Sequence, residues 1–212
     1  KPFIRGKVNV SSPQWSPDGK HIAFLMKRGE KAKTQVWIIS TTGGEAEQLT
    51  KSKTNVLSFN WHPTKNMIGY IATDPKSKRE QELDKKGYGF VFYEENVKHR
   101  NLYLLDLKTE NVEQLTKDKT VWDFVFSPDG TRLATAGADG TVRVWDAATG
   151  EKLLTLVSDI GIITDIAFNP DGSRLAITSW TEGLAKVWEI SQTLDPDLET
   201  TAITGQELFS LA

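Results

Sequence analysis

Hydrophobic and polar positions in this chain vary in short runs, and no run is long. Stretches such as "QVWIIS" (Gln35–Ser40) and "TVRVWD" (Thr141–Asp146) mix alternation with β-branched and aromatic residues, the pattern of β-strands. Helix signals are missing apart from a charged turn expected within Lys76–Lys86. Four segments repeat one grammar: an aromatic-rich strand, a turn with Pro, an apolar strand, a third strand that often holds Trp, and a short fourth strand. They run over Ser12–Thr50, Leu57–Thr116, Val121–Val157 and Ile163–Ala212. The turn positions Ser16, His62, Ser127 and Asn169 are separated by steps of 46, 65 and 42 residues, so the middle repeat holds one insertion. In "SPDG" (Ser16–Gly19, Ser127–Gly130), Pro presets φ, Asp can bond its own backbone, and Gly takes the positive φ that other residues resist. "STTGGE" (Ser40–Glu45) and "DAATGE" (Asp146–Glu151) read as the turns between third and fourth strands.

A period near 40–45 residues with four strands each predicts an all-β fold, a β-propeller of four-stranded antiparallel blades. One such sheet buries neither face alone, so the blades must stack. The expected layout is a single propeller domain over 1–212, with blades at about 8–50, 51–117 (insertion 74–100), 118–158 and 159–212. "ATAGADGTVRVWDAATGEKLLTL" (Ala134–Leu156) resembles a WD40 repeat, with Trp145–Asp146 in its third strand. The first half resembles the TolB-like propeller of the prolyl-oligopeptidase and acylaminoacyl-peptidase type. That likeness rests on "PQWSPDGKHIAF" (Pro13–Phe24), "GGEAEQLT" (Gly43–Thr50) and the charged insertion before "NLYLLDL" (Asn101–Leu107). The first resemblance covers residues 127–212 and the second 1–126. Because "SPDG" serves both types, the chain is expected to be a chimera, natural or engineered, joined around Phe126–Gly130; the alternative is a natural propeller with divergent blades.

Charge follows the same division. Residues 1–120 carry 21 Lys/Arg against 14 Asp/Glu, a net +7, and residues 121–212 carry 5 against 14, a net −9. The Lys residues of the first half are dispersed and no Arg cluster appears, so nucleic acid is not an expected partner. No apolar run is long enough to span a bilayer, and a membrane is not expected either. The opening "KPFIRGKVNV" has neither Met nor a signal pattern, as an excised segment would. With 0 Cys, disulfides, thiolate metal sites and Cys nucleophiles are excluded; this suits a cytoplasm, without excluding an engineered chain.

Nothing in the sequence supports catalysis. There is no G-x-S-x-G, and His21, His62 and His99 stand apart. His62 occupies the turn position of Ser16, and His99 reads as a loop residue. Asp18, Asp129 and Asp171 recur once per turn, on different blades, as turn formers. No cofactor or metal is expected, since neither zinc, calcium nor phosphate-loop patterns occur. The WD40 resemblance implies a stabilising network in which Thr135, Asp139 and Trp145 match three positions; the family's His is missing, with Asp159 near its place. Trp122 and Trp180 are candidate protein contacts on the loop face. The insertion is charged first and aromatic later, and reads as a solvated arm folded back in an extra hairpin, or as a lid.

A four-blade arc shaped for a larger ring leaves two end faces bare, and Trp37 and Trp188 are expected on them. The leading expectation is a non-catalytic scaffold whose partner is itself, a homodimer forming an eight-bladed ring with opposite charges adjacent. Two alternatives are a WD40-like protein- or peptide-binding module and the isolated gate of a serine oligopeptidase without its catalytic domain.

Overall fold

A computed structural model describes residues 8–88, 98–117, 120–195 and 200–211. Among the described residues the fold is all-β apart from one short helix, with four antiparallel sheets of four strands. Blade one contains β1 (Val10–Trp15), β2 (His21–Met26), β3 (Gln35–Ser40) and β4 (Glu47–Gln48). Blade two contains β5 (Val56–Trp61), β6 (Met67–Thr73), β7 (Arg100–Asp106) and β8 (Val112–Gln114), with helix α1 (Lys78–Lys85) in the insertion. Blade three is β9 (Val121–Phe126), β10 (Arg132–Gly137), β11 (Thr141–Asp146) and β12 (Lys152–Val157). Blade four is β13 (Asp165–Phe168), β14 (Arg174–Ser179), β15 (Leu184–Asp195) and β16 (Thr200–Leu211). Each sheet runs in chain order from inner to outer strand, so no strand is exchanged between blades.

The turns form for the reasons their chemistry gives. Ser127 Oγ donates to Asp129 at 2.5 Å, Asp129 accepts the Thr131 N–H at 3.0 Å, and the Gly130 N–H returns to the Ser127 carbonyl at 2.8 Å. Gly130 sits at φ +72°, against the His62 ring, where any side chain would be both strained and obstructed. The repeat then fixes the core. Successive blades meet through the inner strand of the incoming blade: β5 packs on β1 and β3, β9 on β5 and β7, and β13 on β9 and β10. Small and branched residues face forward and larger ones face back. At the junction of blades three and four, Ala134, Ala136, Val142 and Val144 receive Ile166, Leu175 and Ile177. Between blades two and three, Ile71, Leu102 and Leu104 receive Phe124, Phe126 and Leu133.

This parity corrects the expectation for the end face of blade four. Trp188 pairs with Leu175 in the ladder and so points back into the junction with blade three. Trp37 does lie on the end face of blade one, on the side of the sheet away from Val36 and blade two, but it is not bare: it is 9% exposed, in a cluster with Phe24, Met26 and Ile39 against which Val8 and Ala46 of the same chain pack. The expectation for Trp188 failed because alternation shows that two faces exist, while the neighbouring blade decides which one is covered. The bare face of blade four carries Ala167, Ala176, Thr178 and Phe209. The insertion holds a helix where a charged turn was expected. The hairpin foreseen for the insertion 74–100 includes residues 89–97, which lie outside the described residues.

Candidate functional site

Two of the inner strands start at the loop end with a buried β-branched residue, Val56 at 2% and Val121 at 3% exposed, and Ile163, two residues ahead of β13, is 0% exposed. Immediately after the first two, β5 and β9 skip a residue in the ladder, a bulge that turns Leu57 and Trp122 outward. Leu57 is 42% and Trp122 38% exposed, on adjacent blades at equivalent positions. The Arg100 guanidinium lies 3.9 Å over the Trp122 ring, holding the indole in place while its edge stays open. Trp180, 77% exposed, begins the turn between β14 and β15 on the same loop face of blade four.

The base of the insertion braces this surface. The Asp74 N–H donates to the His99 carbonyl at 2.9 Å, extending the β6–β7 ladder, and Asn101 Nδ2 donates to Asp74 Oδ1 at 2.6 Å. His99 Nδ1 lies 3.3 Å from Thr120 Oγ1, joining the insertion to the strand that carries Trp122. Helix α1 starts with a capping box of Ser77 and Glu80, and Glu80 also pairs with Lys98 at 2.5 Å. The Lys98 ammonium, followed by the Ser77 N–H, pulls the Glu80 carboxyl down to about 2.

The network positions are joined only in part. Trp145 Nε1 donates to Thr135 Oγ1 at 3.1 Å, within one blade. Asp139 instead accepts from Thr141 Oγ1 at 2.6 Å and pairs with Arg143 at 2.8 Å. In blade four, Ile177 stands where Thr135 stands in blade three, and the buried Trp188 indole N–H has no partner. A second ionic group escaped the sequence reading: Lys186, 7% exposed, binds Asp159 and lies 3.0 Å from Glu207. Its signal was the register, since Lys186 and Arg143 occupy equivalent third-strand positions.

The remaining titratable groups serve the fold. His62 is 0% exposed and 4.9 Å from Phe126; its Nδ1 accepts the Thr64 and Lys65 N–H groups at 3.2 and 3.0 Å, doing the work of Ser16 in blade one. Burial, with Lys65 adding to it, lowers its pKa. Asp18, Asp129 and Asp171 each accept an N–H of their own turn, at 3.0, 3.0 and 2.7 Å, and each is held below the ordinary carboxylate pKa. Among the described residues no group of three or more His, Asp or Glu could hold a metal ion. No described helix is long and apolar enough to cross a membrane. A cavity of about 700 Å³ opens between the turns of blades one and two, lined by Asp18, Glu47, Leu49, Trp61, Lys65 and Leu107. The adjacent outer strand, β4, has just 2 residues.

Comparison with known proteins finds similarity both to a peptidase and to WD-repeat sequences. Over 70 residues the chain is 46% identical to uncharacterized protein YidR of Escherichia coli, covering 31% of this chain and 16% of that one. Over 147 residues it is 30% identical to the uncharacterized peptidase YuxL of Bacillus subtilis, covering 62% of this chain and 22% of that one. Over 85 residues it is 33% identical to the serine-threonine kinase receptor-associated protein of Gallus gallus, covering 40% of this chain and 23% of that protein. The chain thus spans less than a quarter of these curated relatives. Residues 110–146 and 150–189 match the family model of the WD domain, G-beta repeat. The first match takes β8 of blade two together with β9–β11, and the second takes β12 together with β13, β14 and the first half of β15. Both matched segments therefore start on the outer strand of one blade and end on the third strand of the next, which places the WD domain, G-beta repeat signature across the last two junctions of this propeller.

Proposed function

We propose that this chain is a non-catalytic propeller scaffold, recombined from two blade types, that acts by pairing with a second copy to close an eight-bladed ring. One observation carries the reading: β1 is bare at the positions where the other inner strands are covered. Val10 is 42% exposed against 2%, 3% and 0% for Val56, Val121 and Ile163. Trp15 is 63% exposed, while at the same position Phe126 is 7% exposed and Trp61 and Phe168 are half-buried. Since the incoming inner strand makes each junction, an uncovered β1 is an unfilled junction. The forward face of blade four supplies the other half, because Ala167, Ala176 and Val187 repeat Val125, Ala134 and Val144, which receive blade four itself. Two-fold pairing sets the +7 half of each copy beside the −9 half of the other.

The test is molar mass in solution over a concentration series. The unmodified chain is expected at twice 23.7 kDa, and Trp15→Glu or Ala176→Glu at 23.7 kDa with an unchanged circular dichroism spectrum. Monomeric behaviour of the unmodified chain throughout would sink the proposal.

A second reading, a protein- or peptide-binding module, is favoured by the outward Leu57 and the Arg100-braced Trp122. Under it, Trp122→Ala with Trp180→Ala abolishes binding to a defined peptide array and leaves molar mass unchanged. The similarity to a peptidase supports a third role, a substrate gate separated from its catalytic domain, which predicts weak peptide affinity without hydrolysis.

A further inference from the structure

Each junction inside the chain is clamped at its inner strands by a side chain of the outgoing blade that hydrogen-bonds the incoming one; at the first, Gln14 Nε2 also donates to Asn60 Oδ1 at 3.2 Å. Gln14 Nε2 donates to the Phe59 carbonyl at 2.7 Å, and Asn60 Nδ2 to the Phe124 carbonyl at 2.8 Å. The third junction uses a different device: Asp123 Oδ2 accepts the Ile166 N–H at 3.2 Å. The ladder registers put these groups in common positions. Gln14, Asn60, Val125 and Ala167 are equivalent, as each sits one residue before the aromatic that ends its strand. Asp123 and Asp165 are likewise equivalent, and so are Phe59, Phe124 and Ile166; Pro13 corresponds to these three by its count from Trp15, within the bulge that shifts the β1 ladder between Ser11 and Gln14. At its forward edge, then, blade four offers Ala167, which has no side-chain donor, and Asp165, which accepts from Thr178 Oγ1 at 3.3 Å. At its receiving edge, blade one offers Pro13, which has a carbonyl but no N–H.

We infer that the seam between two copies is the one junction of the ring without an inner-strand clamp. The inference rests on the self-pairing reading above, and the occupant of the blade-four face is β1 of a second copy. Apolar contact and opposite net charge hold that seam, while Asp165 meets a residue that cannot donate and the Pro13 carbonyl meets a residue that cannot donate either. The two seams therefore open before any internal junction does, and the ring comes apart into intact half-rings.

Two variants each repair the seam by one of the chain's own devices. Ala167→Asn copies the Asn60 clamp toward the Pro13 carbonyl, and Pro13→Ala supplies the N–H for Asp165. A net hydrogen bond at each of two seams tightens the dimer about 30-fold, from about 1 kcal/mol per bond. Asn60→Ala serves as the control, because it removes an internal clamp; it lowers the melting temperature and leaves the dimer constant unchanged. The dissociation constants of the unmodified chain and these variants, measured by sedimentation velocity, decide the matter. Tightening by both repairs supports the inference. A dimer that neither repair tightens overturns it while self-pairing stands. A unit that stays monomeric in every variant overturns the self-pairing reading, and the seam with it.

Discussion

The Thr135–Trp145 bond and its missing counterpart at Ile177–Trp188 show what one side chain contributes to a blade. Thr135→Val leaves the Trp145 indole N–H buried and unpaired, at a cost of about 1–3 kcal/mol. For a chain of this size each kcal/mol lowers the melting temperature by roughly 2–4 °C, so a thermal melt reads the effect directly. An unchanged melt would mean that water takes over the bond. His62 makes a pH prediction. Its folded pKa lies below the ordinary value, so the unfolded chain takes up the proton first. The stability from neutral His62 is complete above about pH 6.5 and is lost as pH falls below that value toward the lowered folded pKa. His62→Asn should therefore lose less melting temperature between pH 7.5 and 5.5 than the unmodified chain does, and equal losses would contradict this account. The turn role of His62 was readable from its place at the Ser16 position. The Lys186 group was not, because it depends on β15 meeting β16 across a ladder that no local pattern announces.

Elements were legible where their cause is local. "SPDG" and "DAATG" specify their turns within a few residues, and the strands they join follow. The bulges at Leu57 and Trp122 were hidden, because a bulge is a mismatch between two strands and neither strand contains it alone. The same limit produced the wrong placement of Trp188: strand periodicity is a property of one strand, and burial of a face is a property of the next blade. Helix α1 lies between these cases, since its charges hid a capping box that Ser77 and Glu80 spell out. Ser77→Ala should cost the helix about 1 kcal/mol and lower hydrogen-exchange protection across Lys78–Lys85, with the surrounding strands unaffected. Glu80 keeps its anchor in acid: with a folded pKa of about 2, its contribution begins to fade below its ordinary pKa near 4.5 and is gone near pH 2. Loss of that protection at pH 6 would contradict the ion pair with Lys98.

For the whole molecule, the repeat count, the charge division and the two blade types could all be read from the sequence, and the bare β1 could not. Val10 and Trp15 look like any strand residues until their counterparts are seen buried or half-buried beneath a preceding blade. The ends of the arc are thus defined by comparison within the chain, each exposed residue measured against equivalents that differ only in having a neighbour.

Light scattering on the unmodified chain from micromolar to near-millimolar concentration tests the account most directly. It predicts a species of twice 23.7 kDa that Trp15→Glu converts to single copies. A mass of 23.7 kDa at every concentration would contradict it, showing that the exposed strand is content in water.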